Sequence, residues 1–248
     1  MTFLTLFVAA ILIGWVASMI GVGGGVFMVP LLSIFQYVPT TQMAVGTSLA
    51  AIVFNSISST VSYTRQRVVD FRLGFLLMPT ATVGAWLGAY LTRFISSKGL
   101  AVAFGIFLIY VAGIMLLGKK PKADGDVKFS PLAAGLVGFV AGLAAGFFGI
   151  GGGAVMVPAM TLLLGTDIVR AVATSLFVMG PSALIGSIQH AFQGNLRLEF
   201  AIPLALGIII GAHLGAFTTT RIPKPVLQRL FGVVLIYSAF NMIWQGFS

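Results

Sequence analysis

The sequence contains no cysteine, which excludes disulfides, thiolate metal sites and cysteine redox chemistry. Charge is nearly as scarce. Only 8% of the 248 residues are charged, against roughly 25% in a soluble domain. Acidic residues number 5 against 14 basic ones, giving a formal charge of +9. A soluble fold cannot cover its surface with so few charges. An ordinary cytosolic enzyme, a nucleic-acid binder and a disordered chain are therefore excluded. The first charge is Arg65, and Met1-Thr2-Phe3 carries no basic residue. A secretory leader needs a basic start, so the first apolar run is expected to be retained.

What remains is apolar. Hydrophobic residues make up 58% of the chain, and they fall in long runs. A spanning helix needs about 20 apolar residues, range ~17–25. Full-length candidates are Thr40–Tyr63, Leu73–Leu91, Leu100–Leu117, Val169–Phe192, Phe200–Thr218 and Val226–Trp244. A β-barrel would need short alternating strands instead of continuous runs rich in Leu, Ile and Ala. Two further regions are interrupted. Phe3–Ile20 ends in Gly21-Val-Gly-Gly-Gly25 before Val26–Tyr37, and Pro131–Phe148 ends in Gly149-Ile-Gly-Gly-Gly153 before Ala154–Leu164. The second piece of each is too short, at 1.5 Å per residue, to cross a core of roughly 30 Å. Each region reads as a helix, a glycine break and a short helix, either a broken span or a re-entrant hairpin.

The halves repeat. Gly21-Val-Gly-Gly-Gly-Val-Phe-Met-Val-Pro30 matches Gly149-Ile-Gly-Gly-Gly-Ala-Val-Met-Val-Pro158 at 7 of 10 positions. Ala44-Val-Gly-Thr-Ser-Leu49 matches Ala171-Val-Ala-Thr-Ser-Leu176 at 5 of 6. Gly84-Ala-Trp-Leu-Gly-Ala89 matches Gly211-Ala-His-Leu-Gly-Ala216 at 5 of 6, and Phe104–Tyr110 matches Phe231–Tyr237 at 5 of 7. The offset stays at 127 or 128 throughout, so chance similarity is excluded. The expected organisation is a first repeat over 1–117, a polar cytoplasmic linker over 118–130 and a second repeat over 131–248.

Basic residues decide between parallel and inverted halves. With inverted halves, 11 Lys and Arg fall on the linker side and 3 (Arg93, Lys98, Arg197) on the other. Parallel halves would give 8 against 6. The expected fold is thus an all-α polytopic membrane protein of two inverted homologous repeats. Each repeat has a glycine-broken helix or re-entrant hairpin plus three full spans, 8 to 10 membrane helices in all. Both termini are expected outside and the linker inside. Broken helices meeting at the midplane of inverted repeats are a common transporter plan.

Three sets of residues could carry chemistry. A triple glycine lets successive amides turn together with no side chain in the way, and the following short helix brings its positive end to the same spot. That combination suits an anion. It singles out Gly23, Gly24 and Gly25, and Gly151, Gly152 and Gly153. The plainer reading of a membrane glycine is close helix packing, which is what the spacing of Gly84/Gly88 and Gly207/Gly211/Gly215 predicts. A dinucleotide site is excluded because no βαβ unit surrounds the glycines. The second set is a polar stripe, Thr41, Ser48, Asn55, Ser59 and Ser62, sharing one helix face. Its counterpart carries Ser175, Ser182, Gly186 and Gln189. Any single serine reads as an interhelical hydrogen bond worth ~0.6 kcal/mol. Thr47-Ser48 and Thr174-Ser175, present in both halves, read as substrate contacts.

The third set is ionisable. No Asp or Glu lies inside an expected span, so a carboxylate proton relay is unsupported. Asp70, Asp167 and Glu199 stand at helix starts, where they are expected to cap. His190 and His213 are the remaining candidates, and His190 joins the site set beside Gln189. No metal cluster, no cofactor motif and no nucleophile–base pair is present.

The duplicated Gly-x-Gly-Gly-Gly-x-x-x-Val-Pro motif, each followed by Ala-Val-x-Thr-Ser-Leu, resembles the sulfite exporter TauE/SafE family of membrane permeases. The resemblance extends over nearly the whole chain. It implies transport of sulfur-containing anions such as sulfite, sulfoacetate or other organosulfonates across the inner membrane, mostly outward. Carried over by position, it points to Gly21, Gly23–Gly25, Pro30, Thr47, Ser48, Gly149, Gly151–Gly153, Pro158, Thr174 and Ser175. The functional expectation is a multi-pass secondary transporter working by alternating access, with an anion channel of the same architecture as the alternative. It is not expected to be an enzyme. Its partners are a small sulfur oxyanion or sulfonate, the lipid bilayer and a second copy in a homo-oligomer, with no nucleic acid.

Overall fold

Short polar caps punctuate the apolar chain. Thr40 opens α3 (Thr41–Arg65) by accepting from Met43 N–H, and Asp70 opens α4 (Phe71–Leu91) by accepting from Leu73 N–H. Asp167 opens α8 (Ile168–Phe192) the same way, from Val169 and Arg170. These side chains satisfy N–H groups that a helix start leaves without a partner. Glu199, also expected to cap, instead lies within the first turn of α9 (Leu198–Thr218), whose cap position is Arg197. A carboxylate there still faces the positive end of the helix.

The computed structural model describes residues 2–117, 130–219 and 224–247. The other helices are α1 (Thr2–Ile20), α2 (Gly25–Ile34), α5 (Ser97–Leu117), α6 (Pro131–Phe148), α7 (Gly153–Leu162) and α10 (Lys224–Phe247). A single 3-10 turn, Thr92–Phe94, follows α4. Among the described residues there is no strand. Six helices (α1, α3, α4, α6, α8 and α9) are long and apolar enough to cross a bilayer. The chain is a multi-pass α-helical membrane protein. α5 and α10 occupy the two remaining expected runs. The expected linker, 118–130, lies outside the described residues except for Ser130.

α2 and α7 are 10 residues each. At 1.5 Å per residue that is about 15 Å, half of a core of roughly 30 Å. Both run back on themselves. Gly24 sits against Ile13 of α1, and Gly152 against Ala141 of α6. At the far end of α2, Tyr37 packs on Phe200, at the start of α9. Because α1 and α9 run side by side in the same direction, α2 returns to the face from which α1 set out. The broken regions are therefore re-entrant hairpins with one long and one short arm.

Contacts recur with the halves exchanged. Gly207, Gly211 and Gly215 of α9 meet Phe7, Ile11 and Trp15 of α1; Gly84 and Gly88 of α4 meet Phe139, Leu143 and Phe147 of α6. Each glycine lets the neighbouring backbone come within contact of its Cα, where a Cβ would overlap a carbonyl oxygen. This is the small-residue packing expected of the i, i+4 spacing. At the centre α3 and α8 run in opposite directions, with Gly46 against His190 and Gly180 against Ser56. α5 and α10 are also antiparallel, Gly105 meeting Ala239 and Ile243 while Gly246 meets Val102 and Lys98.

The two ends of the bundle differ in charge. Asp70 N–H donates to Thr174 Oγ1, which joins the start of α4 to the start of α8 and gathers Arg65, Arg67, Arg72 and Arg170 on one face. Arg197 N–H donates to Thr47 Oγ1, and Thr41 N–H donates to Ser97 Oγ, which gathers Arg93, Lys98 and Arg197 on the other.

Candidate functional site

The two glycine turns cross at the middle of the bundle. Backbone with φ near +80° is open to glycine at little cost and closed to most other residues. Gly21, Gly23 and Gly24 take φ of 78°, 84° and 89°, and Gly149, Gly151 and Gly152 take 71°, 77° and 85°. Gly24 and Gly152 then serve as N-cap positions of α2 and α7. In α2 the ladder begins with Phe27 and Met28 donating to Gly24 O, and in α7 with Val155 and Met156 donating to Gly152 O. The N–H groups just before them stand at the open, positive end of each helix. Both open ends lie at the centre, since each short helix leaves it for its own face.

The turns touch. Gly25 Cα lies against the carbonyl of Gly149, and Gly153 Cα against that of Gly21. Reciprocal hydroxyls tie the crossing. Ser48 Oγ donates to Gly149 O (2.9 Å), sharing its hydrogen with Val45 O (2.8 Å). Ser175 Oγ donates to Gly21 O (3.2 Å), sharing with Val172 O (2.8 Å). Each serine thus satisfies a carbonyl of the opposite half's turn. Two equivalent side chains, Ile52 and Met179, fill the space that remains. A Cβ on Gly151 would lie 3.0 Å from an Ile52 methyl, and one on Gly23 or Gly153 would lie 2.7 or 2.8 Å from the Met179 methyl.

Of the residues singled out from sequence, Gly23, Gly25, Gly151, Gly153, Ser48 and Ser175 meet at this crossing. Gly24 and Gly152 face outward, toward α1 and α9 and toward α6 respectively. Thr47 and Thr174 point to opposite faces, where they accept from Arg197 N–H (3.2 Å) and Asp70 N–H (3.0 Å). Asn55 is fully buried and accepts from Ser18 Oγ (2.9 Å), but its Nδ2 has no partner among the described residues. Leaving such a donor unpaired costs about 1–3 kcal/mol. His190 is equally buried, with Nε2 3.0 Å from Gly146 O and Nδ1 without a partner among the described residues. Gln189 is half-buried near the end of α8.

His190 has a counterpart that sequence reading overlooked. Tyr63, one repeat earlier, donates from its hydroxyl to Ser18 O (2.8 Å), the position equivalent to Gly146. It also lies 2.7 Å from Thr219 Oγ1. Both rings anchor the end of a long hairpin arm to the neighbouring central helix. The signal was the constant repeat offset, but a tyrosine and a histidine look unrelated until their carbonyl partners are compared. Ser18, the one hydroxyl in the second half of apolar α1, escaped for want of a polar pattern around it. It is fully buried and lies 2.8 Å from Ser59 Oγ.

A polar vestibule of about 410 Å³ opens on the face with few basic residues, lined by Gln42, Thr92, Arg93, Ser96, Gln193 and Asn195 among others. Its floor is closed where Asn195 O packs on Gly46, next to His190. Arg93 lies over the rings of Tyr90 (4.6 Å) and Phe94 (4.7 Å). Among the described residues no group of His, Asp and Glu could hold a metal ion.

Residues 6–242 match the family described as sulfite exporter TauE/SafE. The chain belongs to the sulfite exporter TauE/SafE family. It is similar over its full length to "Probable membrane transporter protein YunE" of Bacillus subtilis strain 168, at 33% identity over 271 residues covering 99% of both chains. It is also similar to a "Probable membrane transporter protein" of Xylella fastidiosa strain Temecula1, at 29% identity covering 96% of this chain and 93% of that one. A third relative, "Probable membrane transporter protein MJ0441" of Methanocaldococcus jannaschii, is 28% identical over 96% and 94%. The TauE/SafE proteins are membrane transporters.

Proposed function

We propose that this TauE/SafE protein is a secondary transporter of small sulfur-containing oxyanions, sulfite or organosulfonates, working by alternating access in the inner membrane. The observation that carries the reading is the crossing of two glycine turns, each opening a short helix whose positive end lies at mid-depth. An oxyanion there would be held by amide and hydroxyl donors without any Lys or Arg. Gly23–Gly25, Gly151–Gly153, Ser48 and Ser175 form the proposed centre. Asn55 Nδ2 and His190 Nδ1 are unpaired polar atoms near the two hairpin arms. Thr47, Thr174 and Gln189 line the approach from either face.

The two repeats, 1–117 and 131–248, are inverted. The antiparallel course of α3 against α8 and of α5 against α10 supports this, as does the unequal share of basic residues on the two faces. The basic face and the linker are cytoplasmic and both termini are outside. The vestibule beside Arg93 is then the external mouth, while Ser48, Ser175, Ile52 and Met179 close the centre. Rocking one hairpin pair against the other would part these contacts and expose the amides to one face at a time.

Flux into proteoliposomes tests the substrate, using sulfite, sulfoacetate, taurine, sulfate and chloride with and without a proton gradient. Gradient-driven accumulation of a sulfur oxyanion is expected. Dissipative flux of every anion alike would make the protein a channel. Single cysteines at Lys122 and Ser248 should label from opposite sides of the membrane; labelling from one side overturns the inverted arrangement.

A further inference from the structure

The two halves differ sharply at one place, a groove on the membrane-facing side between α3 and α9. It holds about 280 Å³. Its apolar walls, Phe54, Ile57 and Val61, are 44–56% exposed, so they face lipid. Three polar residues, Ser58, His213 and Arg65, lie along the same groove. Ser58 Oγ donates to Ile209 O (2.9 Å), and His213 Nδ1 lies 2.9 Å from Ser62 Oγ. His213 is exposed, and with Nδ1 engaged its Nε2 is left for whatever fills the groove. Arg65 is the last residue of α3, is exposed, and makes no ion pair among the described residues.

The equivalent groove between α8 and α4 lacks all three. One repeat on, Ser58 becomes Ile185 and Arg65 becomes Phe192, while Trp86 stands where His213 does. Phe192 is 84% exposed and Trp86 46% exposed, as befits a face that meets only hydrocarbon. Polar groups facing lipid are expensive, and their default reading is a site. The asymmetry argues against a role in the transport centre, where the halves match.

We propose that the α3/α9 groove binds one anionic phospholipid, its phosphate on Arg65 and His213 and an acyl chain along Val61, Ile57 and Phe54. Charge complementarity selects an anionic headgroup over a zwitterionic one. The length fits as well. From Arg65 to Phe54 the helix descends about 16 Å, and one leaflet of the hydrocarbon core is about 15 Å deep. The phosphate would lie at the basic face of the bundle, where polybasic segments meet anionic lipids.

Purified protein, stripped of lipid in detergent, tests the site. Dioleoylphosphatidylglycerol should raise Tm by several degrees more than dioleoylphosphatidylcholine, and native mass spectrometry should retain one phosphatidylglycerol per chain. Arg65→Gln with His213→Leu should abolish both. Glycerol phosphate alone should not reproduce the shift; if it does, the site takes a soluble phosphate and the lipid assignment fails. Equal stabilisation by the two lipids, or a phosphatidylglycerol effect that survives both substitutions, overturns the proposal. So does a dimer that the substitutions convert to monomer with no change in lipid retention, which would assign the groove to a second copy. Should the double variant not fold, Phe192→Arg with Trp86→His in the opposite groove is expected to raise retention from one lipid to two, and unchanged retention counts against the idea.

Discussion

Two kinds of glycine build this protein. Those of α4 and α9 sit in regular helix and serve approach: Gly84 and Gly211 bring α6 and α1 to backbone contact. Those of the turns serve both approach and conformation. Gly23 and Gly151 need positive φ, while Gly25 and Gly153 have ordinary φ but no room for a Cβ. The packing glycines hold helices together along their length. The turn glycines concentrate unpaired N–H groups at one point, which packing alone does not require. The same residue type thus marks stability in one region and a candidate site in the other, and substitution can separate the two.

The largest effect is expected at the crossing. In Gly25→Val or Gly153→Val a Cβ would enter the opposite half's carbonyl, so both transport and folded yield should collapse, read by flux and by size-exclusion of a fluorescent fusion. Gly24→Val and Gly152→Val sharpen the contrast. Their neighbours stand at 3.2 Å and 2.8 Å, but their φ values are 89° and 85°, and an L residue pays about 1–2 kcal/mol there, more when β-branched. Folded protein should survive at reduced yield while substrate binding is lost. If Gly24→Val still binds sulfite at wild-type affinity, the amide site is not where it is proposed.

Next come the packing stripes. Gly84→Ala and Gly211→Ala set a single methyl against a carbonyl of the neighbouring helix, so the pair must move apart at a cost at or above the about 1–3 kcal/mol of ordinary overpacking. Tm should fall while flux per folded molecule stays near wild type. A selective loss of transport would erase the distinction between the two glycine classes. Smaller again is Ser48→Ala or Ser175→Ala. Each removes one hydrogen bond worth about 1 kcal/mol, and the two should weaken substrate affinity by similar factors, because the two serines make matching bonds. Gly135→Ala is the control. Only the Thr80 methyl, at 3.7 Å, lies near its would-be Cβ, so stability should hold or rise, by up to about 1 kcal/mol from the better helix former.

Much of the fold could be read from the chain because membrane burial writes itself in long apolar runs and because the halves repeat. The breaks at Gly21–Gly25 and Gly149–Gly153, and the packing role of Gly84 and Gly211, were legible from spacing alone. The return of α2 and α7 was not. A ten-residue apolar helix reads the same whether it continues across the membrane or doubles back, and only contacts such as Tyr37 with Phe200 distinguish them. The polar stripe that the helical period placed on one face is buried at Ser48, Asn55 and Ser59. It could not predict direction. Ser48 turns toward a carbonyl of the other half, and nothing in a helical period encodes what lies across from it. Ile52 and Met179 were invisible for the opposite reason, since apolar residues at the centre of a site look like any core.

The exchange of hydroxyl and carbonyl at the crossing has an implication for how such a chain arose. Gly149 O is met by Ser48 and Gly21 O by Ser175, so neither turn is complete within its own repeat. An ancestor with one repeat could have closed its turn only by pairing with a copy of itself, which under the proposed inverted arrangement lies the other way up. Fusing the two copies through a linker would have fixed both partners of the crossing in a single polypeptide and freed each half to diverge. Separately expressed halves should accordingly regain function together, and neither should insert stably alone.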